Sequence, residues 1–212
     1  VNVSIPNMGL DKPDRNGVKT PLIGGWWLPV AMLSLALVFY LGGESTAADL
    51  RYDRAAVGSG EFWRLVSGHF VHLGGPHFAL NAAGLALVWF LVGQVFDVRQ
   101  WLLVVAMSLF AMDLGLWFLN PGLHWYVGMS GLLHGILVAG LVEQLRRPDR
   151  ETLVLAALVL GKLIWEQWSG PLPGSESTAG GPVVVDAHLY GALGGVLAAF
   201  ATRIRVQAAA AI

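Results

Sequence analysis

Ser130 lies in Gly128-Met129-Ser130-Gly131, at the head of an apolar run that also carries His134. A serine between glycines is ordinary in a loop, but this one opens Leu132 to Leu145, a stretch that reads as embedded in a bilayer. An unsatisfied polar group there costs several kcal/mol, so Ser130 is a candidate nucleophile beside its simpler reading as a helix N-cap. A hydroxyl becomes nucleophilic when a base within hydrogen-bond reach takes its proton. His188, near the head of the last apolar run, is the candidate base. His77 and Asn81 are four residues apart and share a helical face. With the backbone N–H of Ser130 they form a candidate oxyanion site, and Gly128 removes side-chain bulk where a substrate backbone must approach. The chemistry is acyl transfer, with His188 taking the Ser130 proton and returning it to the leaving amine. The only acid close in sequence, Asp186, is two residues from His188 and is expected to point elsewhere, so the reading is a Ser–His dyad.

The elements that must position these groups follow from composition. Hydrophobic residues make up 55% of the 212 and charged residues 13%, against about 25% charged in an ordinary soluble domain. Six apolar runs follow one another, at 28–43, 77–96, 101–119, 130–145, 152–168 and 187–202. At 1.5 Å per residue most of them cross, or nearly cross, a ~30 Å hydrocarbon core. The expected fold class is an all-α polytopic membrane protein, a bundle of six transmembrane helices. Its expected layout is a tail over 1–27, a six-span domain over 28–206 and a second tail over 207–212. A net charge of −1 offers no basic field for nucleic acid, and the lack of cysteine excludes disulfides, thiolate metal sites and a cysteine nucleophile.

Lys12, Arg15 and Lys19, then Arg99, then Arg146, Arg147 and Arg150, then Arg203 and Arg205 fall on one side of the expected spans. Under the positive-inside rule this puts both termini in the cytoplasm and the heads of spans two, four and six outward. Counting inward, Ser130 is 16 residues from Arg146, His188 is 15 from Arg203 and Asn81 is 16 from Asp97. Each then sits roughly 23 Å above the inner boundary, in one layer just inside the outer face. Gly191, Gly195 and Ala199 on span six, facing Gly131, Gly135 and Ala139 on span four, would let those two backbones approach closely.

Other polar residues have plainer readings. His72 and His77 could be interfacial histidines, Asn81 could join helices, and His134 is open between packing and catalysis. Lys162 and Glu166, at i and i+4, are expected to form an internal ion pair. His69 and His124 are expected at the surface, and Asp113 has no partner nearby in sequence. A competing function is a haem- or metal-binding membrane protein using His72, His77, His134 and His188. It accounts for the histidines but not for Gly-x-Ser-Gly or Asn81, and an HExxH pair is absent.

Taken as an ordered set, several pieces resemble the rhomboid intramembrane serine proteases over about residues 60–203. They are Phe62-Trp63-Arg64, His72…His77…Asn81, Gly128-x-Ser130-Gly131 and Ala187-His188-x-x-Gly191-x-x-x-Gly195. Within the family, Ser130-Gly131-Leu132-Leu133-His134-Gly135 and the compact layout are similar to the rhombosortase subgroup. The resemblance implies Ser130 as nucleophile, His188 as base, His77 and Asn81 at the oxyanion, and His72 in a supporting polar cluster. It implies that Trp63-Arg64 braces the first loop, that Ser169 to Asp186 forms a mobile cap, and that no cofactor or metal is used. The implied partners are the bilayer and single-span substrates cleaved near the outer boundary, in the subgroup ones with a C-terminal Gly-Gly tail signal. The implied location is the bacterial inner membrane, with the site open to the periplasm. A non-catalytic rhomboid-like chaperone is a further alternative, disfavoured because both Ser130 and His188 are retained. One departure stands out: many rhomboids stack a tyrosine on the catalytic histidine, and this chain has His134, one turn below Ser130.

Overall fold

The computed structural model describes residues 25–210, with side chains as far as Arg203. Residues 1–24 of the expected N-terminal tail, and the last two of the expected C-terminal tail, lie outside the described residues. The six apolar runs fall on six helices: α1 (Trp27–Leu41), α5 (Gly75–Val92), α6 (Val98–Phe118), α7 (Ser130–Gln144), α8 (Arg150–Ser169) and α10 (Val185–Ala210). Between α1 and α5 come α2 (Gly43–Leu50), strand β1 (Tyr52–Asp53), α3 (Arg54–Gly58) and α4 (Arg64–Ser67). Strand β2 (Trp125–Tyr126) precedes α7, and α9 (Ser175–Ala179) lies between α8 and α10. The fold is all-helical and polytopic. Among the described residues the single ladder is the two-residue antiparallel pair that sets Tyr52 opposite Tyr126 and Asp53 opposite Trp125.

By length and composition α5, α6 and α10 over Val185–Arg203 can each cross a bilayer. The pair α1 and α2, bent by 118°, makes a fourth candidate if read as one broken span. At 15 residues α7 is short for a full crossing. The 20-residue α8 is long enough but carries Arg150, Glu151, Lys162 and Glu166. Bulky apolar side chains such as Phe90, Phe110, Leu158 and Leu197 face outward. That is the inverse of a soluble surface and suits contact with lipid.

Local chemistry sets the helix boundaries. The run expected to continue to residue 96 stops at Val92, with Gly93 as the C-cap, its N–H donating to the Trp89 carbonyl. Asp97 then opens α6 with a capping box: its carboxylate accepts from Gln100 N at 2.9 Å, while Asp97 N donates to Gln100 Oε1 at 2.8 Å. Asp149 caps α8 by accepting from Thr152 N at 2.7 Å.

The centre of the bundle is the α7–α10 pair, whose backbones meet directly at the glycines of the seam. A Cβ on Gly191 would run into the Gly131 carbonyl oxygen, and one on Gly195 into the Gly135 carbonyl oxygen. A Cβ on Gly131 would in turn meet the Ala187 oxygen at 2.6 Å. Lipid supplies no hydrophobic drive between spans, so this backbone-to-backbone fit carries the association. At the end of the pair away from Ser130, Arg203 fastens it, donating to Glu143 Oε2 at 2.9 Å and to the Val142 carbonyl at 2.7 Å.

Candidate active site

The first loop and the segment before α7 are tied together before the site is formed. Arg54 donates to the carbonyls of Leu116, Trp117, Asn120 and Leu123 at 2.7–3.0 Å, collecting the free acceptors at the C-terminus of α6. Arg64 donates to Glu61 Oε2 at 2.7 Å and to the carbonyls of Ala48 and Arg51 at 2.8 and 3.0 Å. Its neighbour Trp63 is exposed and donates to the Asp49 carbonyl at 3.4 Å. Tyr126 OH donates to the Gly128 carbonyl at 2.7 Å, and Gly128 N donates to the Gly68 carbonyl at 3.2 Å. This anchorage holds Gly128 at φ +123°, a conformation that favours glycine. The chain then turns through Met129 and enters α7 at Ser130.

Ser130 Oγ lies 2.9 Å from His188 Nε2. His188 Nδ1 lies 2.9 Å from Glu166 Oε2, so the imidazole does have a carboxylate partner. The sequence offered no acid for His188; Glu166 reaches it from α8 rather than from the same helix. Asp186, the nearest acid in sequence, reaches the segment after α6 and accepts from Asn120 Nδ2 at 2.5 Å. The Lys162–Glu166 pair is present at 2.6 Å, and it sits in the site: Lys162 Nζ is 3.0 Å from His134 Nε2. His134 stacks on His188, with centroids 4.3 Å apart and planes inclined by 20°, and its Nδ1 lies 2.7 Å from the Ser130 carbonyl oxygen.

The candidate oxyanion groups come from α5. Leu73 N donates to His77 Nδ1 at 3.2 Å, which fixes the proton on Nε2. The Cε1–Nε2 edge of His77 lies against Gly128, where a Cβ would be 2.8 Å from Cε1 and 3.0 Å from Nε2. Asn81 is 4% exposed and donates to the His77 carbonyl at 3.0 Å, leaving its second amide hydrogen free for another acceptor. His77, Asn81, Ser130, His134, Lys162, Glu166 and His188 line one cavity of about 310 Å³. Ser175 and Ala179 of α9, with Pro182 and Val183, line it as well.

His72 does not reach this cavity. It is buried edge-on against His77 and Phe78, at centroid distances of 5.0 and 5.5 Å, and neither ring nitrogen has a partner among the described residues. Burial pushes its pKa down to about 4, with the neighbouring His77 adding to the effect. Gly131 and Gly191 act through the α7–α10 seam rather than by touching a reactant. The sequence reading of His69 as a surface residue does not hold. The ring is fully buried and its Nε2 donates to Asp113 Oδ1 at 3.0 Å, which also supplies the partner that Asp113 lacks in sequence. Nothing in the spacing of residues 69 and 113 signals that contact.

Ligand atoms of His134, Glu166 and His188 lie within 4.8 Å of one another, the one grouping among the described residues that could hold a metal. The Lys162 ammonium lies 2.6 Å from Glu166 Oε1, 3.0 Å from His134 Nε2 and 3.4 Å from His188 Nδ1, placing a fixed positive charge where a cation would have to sit. Of the four histidines in the competing haem or metal reading, only His134 and His188 belong to this cluster.

The arrangement provides a hydroxyl on a base, a base on a carboxylate, and the free N–H groups at the head of α7 beside two further donors. The comparison with curated proteins found no match. The rhomboid domain model matches residues 59–205, well over half of the chain, and the chain therefore belongs to the rhomboid family, whose members are intramembrane serine proteases.

Proposed function

We propose that this protein is an intramembrane serine endopeptidase that uses Ser130 as nucleophile and His188 as base. The observation that carries the reading is the 2.9 Å contact between Ser130 Oγ and His188 Nε2 inside a cavity that also holds His77 and Asn81. As Ser130 Oγ bonds to the scissile carbonyl carbon, its proton passes to His188 Nε2. The carbonyl oxygen takes up the negative charge beside Ser130 N–H, His77 Nε2–H and the Asn81 amide. Collapse of the adduct breaks the C–N bond, and His188 returns the proton to the departing amine. Water, or another amine, then takes the acyl group from Ser130.

The substrate we propose is a single-span membrane segment, cut near the outer boundary of a bacterial inner membrane crossed six times by this chain, with both termini cytoplasmic. The Ser130–Gly135 segment favours substrates of the rhombosortase kind, with a C-terminal Gly-Gly tail signal. Labelling of the purified protein with a fluorophosphonate probe tests the chemistry. Wild type is expected to label and Ser130→Ala to stay dark; equal labelling of the two would sink the proposal. Co-expression with a Gly-Gly-tailed substrate tests the specificity. An intact tail beside an enzyme that cleaves other single-span substrates would point to a general rhomboid.

A further inference from the structure

We propose that Glu166 is the positioning residue of the base, so that the reactive unit is Ser130–His188–Glu166, with Lys162 and His134 fixing the protons around it. The inference rests on the serine-protease reading above and adds the groups that make it work. Rotation of one imidazole would send its nitrogens away from Ser130, so a base in a helix bundle needs a second anchor. Glu166 supplies one from a different helix, at 2.9 Å from Nδ1, and is itself 3% exposed.

The distances determine where the protons lie. A carboxylate oxygen cannot face an unprotonated ring nitrogen at 2.9 Å without repulsion, so His188 Nδ1 carries the hydrogen and donates it to Glu166. Nε2 is then the acceptor, and the Ser130 hydroxyl donates to it. Lys162 is acceptor-free, so it donates to Glu166 Oε1 at 2.6 Å and to His134 Nε2 at 3.0 Å. His134 therefore carries its hydrogen on Nδ1 and donates to the Ser130 carbonyl. The tautomers of His188 and His134 are thereby assigned, Lys162 Nζ lying 3.4 Å from the His188 Nδ1–H as a neighbour and not as its donor, and that assignment leaves His188 ready to accept from Ser130.

The electrostatics point the same way. When the Ser130 proton arrives, His188 becomes an imidazolium, and Glu166 stabilises that cation across one hydrogen bond. A lone carboxylate in this setting would be costly to keep ionised. Lys162 neutralises it, with its side chain 30% exposed at the cavity. The ionised and titratable groups facing His188 are Glu166 and Lys162 from α8 and Ser130 and His134 from α7. On α6, which also packs against α10, Asp113 is engaged by His69.

The test is the rate of fluorophosphonate inactivation of the full chain in detergent, resolved into the maximal rate and the half-saturating probe concentration. Glu166→Gln keeps the shape and removes the charge. Its maximal rate is expected to fall about a hundred- to ten-thousandfold, at unchanged half-saturation, and Glu166→Asp is expected to recover part of the loss. A Lys162→Leu/Glu166→Leu double variant replaces the ion pair with apolar volume, a change that folded proteins commonly tolerate; it should be as slow as Glu166→Gln. Wild-type rates in either Glu166→Gln or the double variant overturn the inference and leave the protease reading intact. A wild-type protein that never labels at Ser130 overturns both.

Discussion

At Gly128 one missing methyl group holds the site open. Its φ of +123° and the 2.8 Å approach of a would-be Cβ to His77 Cε1 mean that Gly128→Ala is both strained and obstructed. The variant is expected to displace the His77 ring and slow probe labelling at least about tenfold, the loss from a misplaced oxyanion donor. Single-turnover labelling kinetics measure this, and wild-type rates would show that His77 does not act there. His188→Ala should abolish labelling while leaving the thermal transition nearly in place, because His188 makes its polar contacts only to Ser130 and the Glu166–Lys162 pair. Residual turnover in His188→Ala would point to His134 as a substitute base.

Among the elements, two joints control the geometry. The α7–α10 seam has backbone where other helix pairs have side chains, so a methyl at Gly191 must push the Gly131 carbonyl away. Gly191→Ala is expected to cost about 1–3 kcal/mol of stability and also to lengthen the Ser130–His188 contact, so both the unfolding midpoint and the labelling rate should fall. The second joint is Arg54, which accounts for four carbonyls at the end of α6 and the loop after it. Replacing it with alanine leaves those acceptors without their donor and should destabilise the protein by about 3 kcal/mol. Arg54→Lys, with one point charge in place of a planar fork, should recover only part of that.

For the molecule as a whole, acid stability is the property that a single buried group shapes most directly. His72 has a folded-state pKa near 4, below the ordinary 6.5 of the unfolded chain. Between those values the unfolded chain binds the extra proton, so stability rises with pH, is complete above about 6.5, and is lost as pH falls toward 4. The difference corresponds to about 3 kcal/mol. His72→Phe should flatten that part of the profile in thermal unfolding across pH 4 to 7; an unchanged slope would assign it to other groups. Topology is a second property at this scale, and the lack of native cysteine makes it easy to read. With the expected orientation, a cysteine at Ser177 in the cap should react with an impermeant maleimide added outside intact cells, and one at Arg147 should not.

Local features of the chain were enough to establish its helical, membrane-embedded class and the small-residue faces of α7 and α10. These depend on composition, i to i+4 spacing and backbone stereochemistry, which neighbouring residues display. The convergence of Ser130, His188, His77 and Asn81 could be anticipated because span length and charge placement set depth in a bilayer. Depth says nothing of azimuth, the direction in which each helix face points. That is why the contact between Glu166 and His188 and the pairing of His69 with Asp113 could be found only in the folded bundle. Both join residues from different parts of the chain, 22 and 44 positions apart. Helix rotation and packing place them together, and no local pattern records that choice.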